Sequence, residues 1–244
     1  MEPIWSPSPE RIARARLTHF MRLVRERHHA PVLDYALLHR WSIEFPENFW
    51  RALWDFCEIR AQTRATQILE NGNRMPGARW FVDARLNYAE NLLRRDDDQP
   101  AIIFRNERGQ GREISWRELR RETARIADGL RAAGVQPGDR VAGYLPNIPE
   151  TVIAMLATTS LGAIWSSCSP DFGLSGVLDR FGQITPKVLF AADGYRYAGK
   201  SLDCMPTVRA VKQQIASIGR VVLVPYANAI WRSEERRVGK ECRS

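Results

Sequence analysis

The residues best able to carry metal or nucleophilic chemistry in this chain are four histidines (His19, His28, His29, His39) and four cysteines (Cys57, Cys168, Cys204, Cys242). Their spacing supports neither kind of chemistry. The histidines all fall in the N-terminal stretch, with no carboxylate or cysteine at ligand spacing. His28 and His29 are adjacent, so a helix would point them to different sides and they cannot make an i, i+4 metal pair. The cysteines lie far apart with no C-x-x-C. That pattern suits reduced thiols in a cytoplasmic protein and argues against a disulfide scaffold or zinc knuckle. A G-x-S-x-G elbow is absent, as is G-x-G-x-x-G after a strand.

One phosphate motif does match by letter. Gly194–Ser201, GYRYAGKS, satisfies G-x-x-x-x-G-K-[ST]. A phosphate-cradling loop of that kind needs a helix beginning at its Gly-Lys-Ser. Here Pro206 follows within five residues of Ser201, and 201–205 carries no helical stripe. Two tyrosines also crowd the loop. A stand-alone P-loop module therefore stands as the rival reading. Arg196 and Lys200 still offer two cations at the C-terminal edge of a parallel sheet, where ligands collect.

The elements that would position these residues read as a helical N-terminal part followed by an α/β body. Ser8-Pro9-Glu10 starts a helix by capping serine, first-position proline and first-turn acid. Its apolar stripe runs through Ile12, Leu17, Phe20 and Val24 to Arg27. A second helix is expected over Pro46–Ala61, where Phe49, Trp50, Leu53, Trp54 and Phe56 form a packing face. After the polar break Arg94–Pro100, a hairpin is expected from Ala101–Arg105 and Glu113–Ser115. Ser115-Trp116-Arg117-Glu118 is a capping box, and Gly134 supplies the left-handed stop of the helix it opens. Strands at Arg140–Leu145, Ala163–Cys168, Lys187–Ala192 and Arg220–Val224 then alternate with helices at Pro149–Leu161, Leu174–Ile184 and Pro206–Ile218. That alternation demands a mostly parallel, doubly wound sheet. The expected organisation is a helical cap over 1–95, an α/β domain over 96–231, and a tail over 232–244. The tail, RSEERRVGKECRS, has five basic and three acidic residues and no apolar periodicity. It reads as non-native sequence on a truncated gene.

Composition sets the outer bounds. At 244 residues with 44% hydrophobic and 26% charged, the chain is in the globular range, long enough to bury a real core. No apolar run reaches a membrane span, and the start MEPIWSPSPE lacks the basic and greasy stretches of a secretory signal. The net charge of +8 could attract polyanions. Arginine is spread along the whole chain, however, with no basic-aromatic cluster, so a nucleic-acid partner is not expected. The sequence sets no oligomeric state.

Two stretches carry a resemblance. WFVDARLNYAENLL (80–93) looks like a segment of the acetyl-CoA and acetoacetyl-CoA synthetases, and the sequence from Ser115 to Lys200 is similar to the first half of the adenylate-forming acyl-CoA ligase fold. Within that superfamily SSCSPDFG (166–173) resembles the acetoacetyl-CoA version. The likeness runs from about residue 35 to residue 231. It implies a two-step ligase. ATP and acetoacetate would give an acyl-adenylate and pyrophosphate, with Mg2+ assisting, and the CoA thiol would then displace AMP. Family members place an arginine and a second basic residue on the phosphates of CoA just after the strand at this point. Arg196 matches the first. Lys200 stands one residue beyond the second and is lysine where the family has arginine.

The family's Ser/Thr/Gly-rich ATP loop, its adenine-binding segment and its C-terminal catalytic lysine have no counterparts in these 244 residues. The chain is therefore expected to be an inactive N-terminal fragment that binds no cofactor tightly. Purified chain should show no acetoacetate-dependent exchange of label between pyrophosphate and ATP, and measurable exchange would refute that expectation.

Overall fold

The computed structural model describes residues 4–227, so the expected tail at 232–244 lies outside the described residues. The chain divides into two compact units, Met1–Leu86 and Asn87–Ser244.

The first unit opens with α1 (Pro9–Arg14), α2 (Arg16–His28), α3 (Tyr35–Glu44) and α4 (Pro46–Phe56), followed by the antiparallel pair β1 (Gln67–Glu70) and β2 (Arg79–Val82). Ser8 caps α1 as expected, its side chain accepting from the Arg11 amide at 3.3 Å. The single helix expected from Ser8 to Arg27 is in fact two. Ala15 adopts an extended conformation between them, and the Ile12 carbonyl accepts from both the Ala15 amide at 3.1 Å and the Thr18 hydroxyl at 2.6 Å. No residue of α1 is buried, whereas α2 buries Phe20 and Val24, so the core fixes the direction of α2 alone.

Helix α4 also stops short of the expected Ala61. Glu58 sits in the left-handed region at φ 52°, with Glu58 N–H on Asp55 O and Ile59 N–H on Trp54 O. This is a Schellman stop built without glycine, which is why the sequence concealed it. The aromatic face of α4 does pack. The Phe20 ring lies 5.8 Å from Phe49 and 5.2 Å from Phe56, and Trp54 lies 4.6 Å from Phe81 on the far side. His28 is no open surface histidine, because its ring rests 5.3 Å from Trp41.

The second unit holds α5 (Tyr88–Leu92), β3 (Pro100–Arg105), β4 (Gly111–Ser115), α6 (Trp116–Ala132), β5 (Arg140–Tyr144), α7 (Pro149–Ser160), β6 (Ile164–Cys168), α8 (Leu174–Ile184), β7 (Val188–Ala192), β8 (Gly194–Tyr197), β9 (Lys200–Asp203), α9 (Met205–Gln214) and β10 (Arg220–Val224). Its head is tied down by Asn87. That side chain caps α5 through the Glu90 amide and donates to the Thr159 and Ser160 carbonyls at the end of α7. The polar break Arg94–Pro100 lies inside this unit, where Gln99 O and Asp97 O accept from the first amides of α6.

β3 and β4 form the expected hairpin, and Ser115 caps α6 by accepting from the Glu118 amide. Gly134, at φ 76°, ends that helix with its amide on Arg131 O and the Val135 amide on Leu130 O.

Four strands make the main sheet in the order β10-β7-β5-β6, all parallel. Helices α6 and α7 cover one face through Ala127, Leu130, Ala154 and Ala157. Helices α8 and α9 cover the other through Val177, Phe181, Val208 and Val211. The fold is the doubly wound three-layer α/β body that the alternation demanded. β7 is buried at every residue, the signature of a central strand covered on both faces. No helix among the described residues is long and apolar enough to cross a membrane.

One glycine in the sheet is required by close approach. A Cβ at Gly143 would stand 2.5 Å from Trp165 Cζ2, because the indole of the neighbouring strand lies over it. Gly143→Ala is expected to cost about 1–3 kcal/mol by overpacking, read as a lower urea midpoint at unchanged slope.

Candidate functional site

The strand order reverses between β5 and β7. From β5 the chain crosses on one face to β6, then returns on the opposite face to β7 beyond β5. Helices leave the two strands in opposite directions, so a crevice opens beyond their C-terminal ends. A cleft of about 410 Å³ lies there. It is lined by Ile148, Pro149 and Glu150 at the start of α7, by Arg196 on β8 and by Pro225–Ala227 after β10. The β3–β4 hairpin closes the side with Phe104, Asn106, Arg108 and Arg112.

The floor is set by Asp193, which is fully buried at the end of β7. Its Oδ1 accepts from the Tyr226 and Ala227 amides at 2.8 and 2.9 Å. The chain then turns out of the sheet at Gly194, where any Cβ would meet Leu202 O at 2.6 Å. Only glycine allows the antiparallel β8–β9 ribbon to start so close to its own return strand.

Three guanidinium groups (Arg108, Arg112, Arg196) face this cleft against one lining carboxylate, Glu150. Glu150 is engaged by Arg112 at 2.6 Å. Glu107, beside Arg108, accepts from the Gly199 amide at 3.3 Å and so docks one hairpin turn on the other. The cleft is left with an excess of positive charge beside the rings of Phe104 and Tyr226. Burial pushes the Tyr226 phenol up, Arg196 pulls it down, and Glu107 and Glu150 add to the rise.

The letter match to a phosphate loop does not survive. Gly194–Ser201 is the β8–β9 ribbon, turning at Ala198 (φ 50°) and Gly199 (φ 76°), with Lys200 opening a strand. Two successive positive φ values make a tight hairpin turn, and the amides that would wrap a phosphate serve a ladder instead. The register pairs Arg196 with Ser201 and Tyr197 with Lys200. Side chains alternate along a strand, so Arg196 and Lys200 project from opposite faces of the ribbon. Arg196 lines the cleft, while Lys200 is exposed and does not.

On the Lys200 face, Tyr195 packs toward α8 and α9. Its phenol is pushed up to about 12, by burial first and then by its hydrogen bond with Asp171. Asp171 also accepts from the Ser169 hydroxyl at 2.7 Å, and the Tyr144 hydroxyl donates to Pro170 O at 2.9 Å. The SSCSPDFG segment thus begins as the end of β6 and continues as a loop, 169–173, stitched to Tyr144 on β5 and Tyr195 on β8.

The two thiols nearby, Cys168 and Cys204, are buried. Cys168 is pushed up by burial. Cys204 is pushed up to about 12, again by burial foremost, with Asp203, Asp193 and Asp171 adding to it. Among the described residues no three His, Cys, Asp or Glu side chains converge to hold a metal ion. Sequence reasoning missed Asp193, Arg108, Arg112 and Glu150. The Asp-Gly pair directly after a strand was the available signal for the first; nothing local marked the others.

The chain is of the doubly wound, mostly parallel α/β class, with a basic cleft at its strand-order reversal, the place where ligands gather in such folds. Comparisons with known proteins narrow this class. The AMP-binding enzyme family matches residues 89–240, and the acetyl-coenzyme A synthetase N-terminus family matches residues 35–92. Over 225 residues the chain is 46% identical to an acetoacetyl-coenzyme A synthetase of Rhizobium meliloti, covering 92% of this chain and 34% of that protein. A malonamoyl-CoA synthetase of Penicillium aethiopicum is 37% identical over 212 residues, covering 84% of this chain and 29% of its own. The solved structure of the acetoacetyl-CoA synthetase from Streptomyces lividans superimposes with a TM-score of 0.86 at 46% identity, over 92% of this chain and 35% of that one. The chain belongs to the AMP-binding enzyme family. It spans about a third of the length of the acetoacetyl-CoA synthetases it matches.

Burial of the two core thiols has a direct consequence. With Cys57 and Cys242 replaced by serine, the folded chain should give no reaction with Ellman's reagent at pH 8. Both remaining thiols should titrate once urea unfolds it.

Proposed function

We propose that this chain provides the CoA-binding side of a ligase that joins acetoacetate to CoA. In the complete reaction, the acetoacetate carboxylate attacks the α-phosphorus of ATP and pyrophosphate leaves. The thiol sulfur of CoA then attacks the acyl carbon, AMP leaves with the bond electrons, and the thiol proton is lost. Within this chain the contribution is binding and orientation. Arg196 projects into the cleft at the strand-order reversal and would give charge-assisted hydrogen bonds to the phosphates of CoA. That placement is the observation that carries the reading.

Asp193 and Gly194 support it, because they fix where β8 leaves the sheet and hence where Arg196 points. ATP is the second substrate of this proposal, and adenylation requires phosphate-cradling and Mg2+-binding parts for which these 244 residues offer no motif. Acetoacetate is favoured by the acetoacetyl-CoA synthetases that the chain matches at 46% identity and by the resemblance of SSCSPDFG (166–173) to their version of this segment. The malonamoyl-CoA synthetase among the relatives favours, as a second reading, a ligase for another short acid.

Calorimetric titration tests the CoA assignment. The chain should bind CoA, and Arg196→Gln should weaken binding by about tenfold or more, the loss expected for one charge-assisted contact. Absence of CoA binding by the unsubstituted chain would overturn it.

A further inference from the structure

We propose that Arg108, at the tip of the β3–β4 hairpin, is the second cation that holds the phosphates of CoA alongside Arg196. This inference rests on the assignment of Arg196 above and adds a residue that no motif marks. Three observations carry it.

First, Arg108 and Arg196 line the same cleft, although 88 residues of sequence separate them. Second, both stand without an ion-pair partner among the described residues, while Glu150 is neutralised by Arg112 and the Glu107 carboxylate beside Arg108 accepts from the Gly199 amide. With three guanidinium groups against the one lining carboxylate Glu150, and Glu107 adjacent, the cleft keeps a positive balance that favours a polyanion. Phosphate groups drawn into it would take charge-assisted hydrogen bonds from both arginines.

Third, the contact from Glu107 to Gly199 joins the two hairpin turns directly. It sets Arg108, the next residue, beside the ribbon that carries Arg196. The tip itself is preorganised, since the Asn106 side-chain oxygen accepts from the Arg108 and Gln110 amides, both at 3.0 Å. Phe104 and Tyr226 add ring surface to the same cleft, which suits the nucleotide end of the ligand better than its pantetheine end. Lys200, by contrast, leaves the ribbon on the other face. Equal in charge and close in sequence to Arg196, it is the natural control.

Five proteins are titrated with CoA: the unsubstituted chain, Arg196→Gln, Arg108→Gln, Arg108→Lys and Lys200→Gln. Arg108 is exposed on a turn, so its replacement leaves the core intact. Arg108→Gln should weaken CoA binding about tenfold and Arg108→Lys should restore part of the loss, while Lys200→Gln should change it less than twofold. If Arg196→Gln weakens binding and Arg108→Gln does not, the role of Arg108 is refuted while that of Arg196 stands. Equal losses in Arg108→Gln and Lys200→Gln would reduce the effect to general surface charge and also refute it. If the unsubstituted chain binds no CoA, both assignments fall together.

Discussion

The cleft depends on a carboxylate that is fully buried where the sheet ends. Asp193 stands at the last step of β7, and its Oδ1 accepts from two successive amides of the chain that leaves β10. Buried carboxylate oxygens need donors, and the two half-buried amides supply them to Oδ1. One side chain therefore holds the exits of two parallel strands together. Without it the Pro225–Ala227 segment would have no fixed place, and the floor of the cleft would go with it.

From that point the remaining geometry follows by steric logic. β7 cannot continue past Asp193, because its own return strand passes so near that Gly194 has no room for a Cβ. The chain leaves as a tight two-stranded ribbon, and ribbon alternation decides which side chains enter the cleft. Arg196 enters; its neighbours Tyr195 and Tyr197 cannot. Tyr195 instead joins the Tyr144–Asp171 group, so the SPDFG loop and the arginine strand are held by opposite faces of one hairpin. The positive charge in the cleft is likewise a product of pairing. Glu150 is paired with Arg112, Glu107 is turned to the Gly199 amide, and Arg108 and Arg196 are left without an ion pair among the described residues.

Local chemistry made several elements legible before any coordinates. Ser8, Ser115 and Gly134 mark helix ends because a cap needs only a side-chain oxygen or a missing Cβ, and both are written in the residue type. The four short strands read as a mostly parallel sheet because helices of about a dozen residues alternate with them and serve as crossovers. Where the physics was not local, the reading slipped. The stop after α4 uses Glu58 in a conformation usually left to glycine, and the break at Ala15 answers to what α2 buries rather than to any breaker.

By itself the sequence determined the doubly wound body, its four parallel strands and its family, since period, caps and motif residues are properties of neighbouring letters. The tertiary structure alone decided which charges share a site. Lys200 lies four residues from Arg196 and faces away from it, while Arg108 lies 88 residues off and faces the same space. Strand register sets the first relation and the docking of two hairpin turns sets the second. Both arise from contacts between segments that no local spacing rule connects.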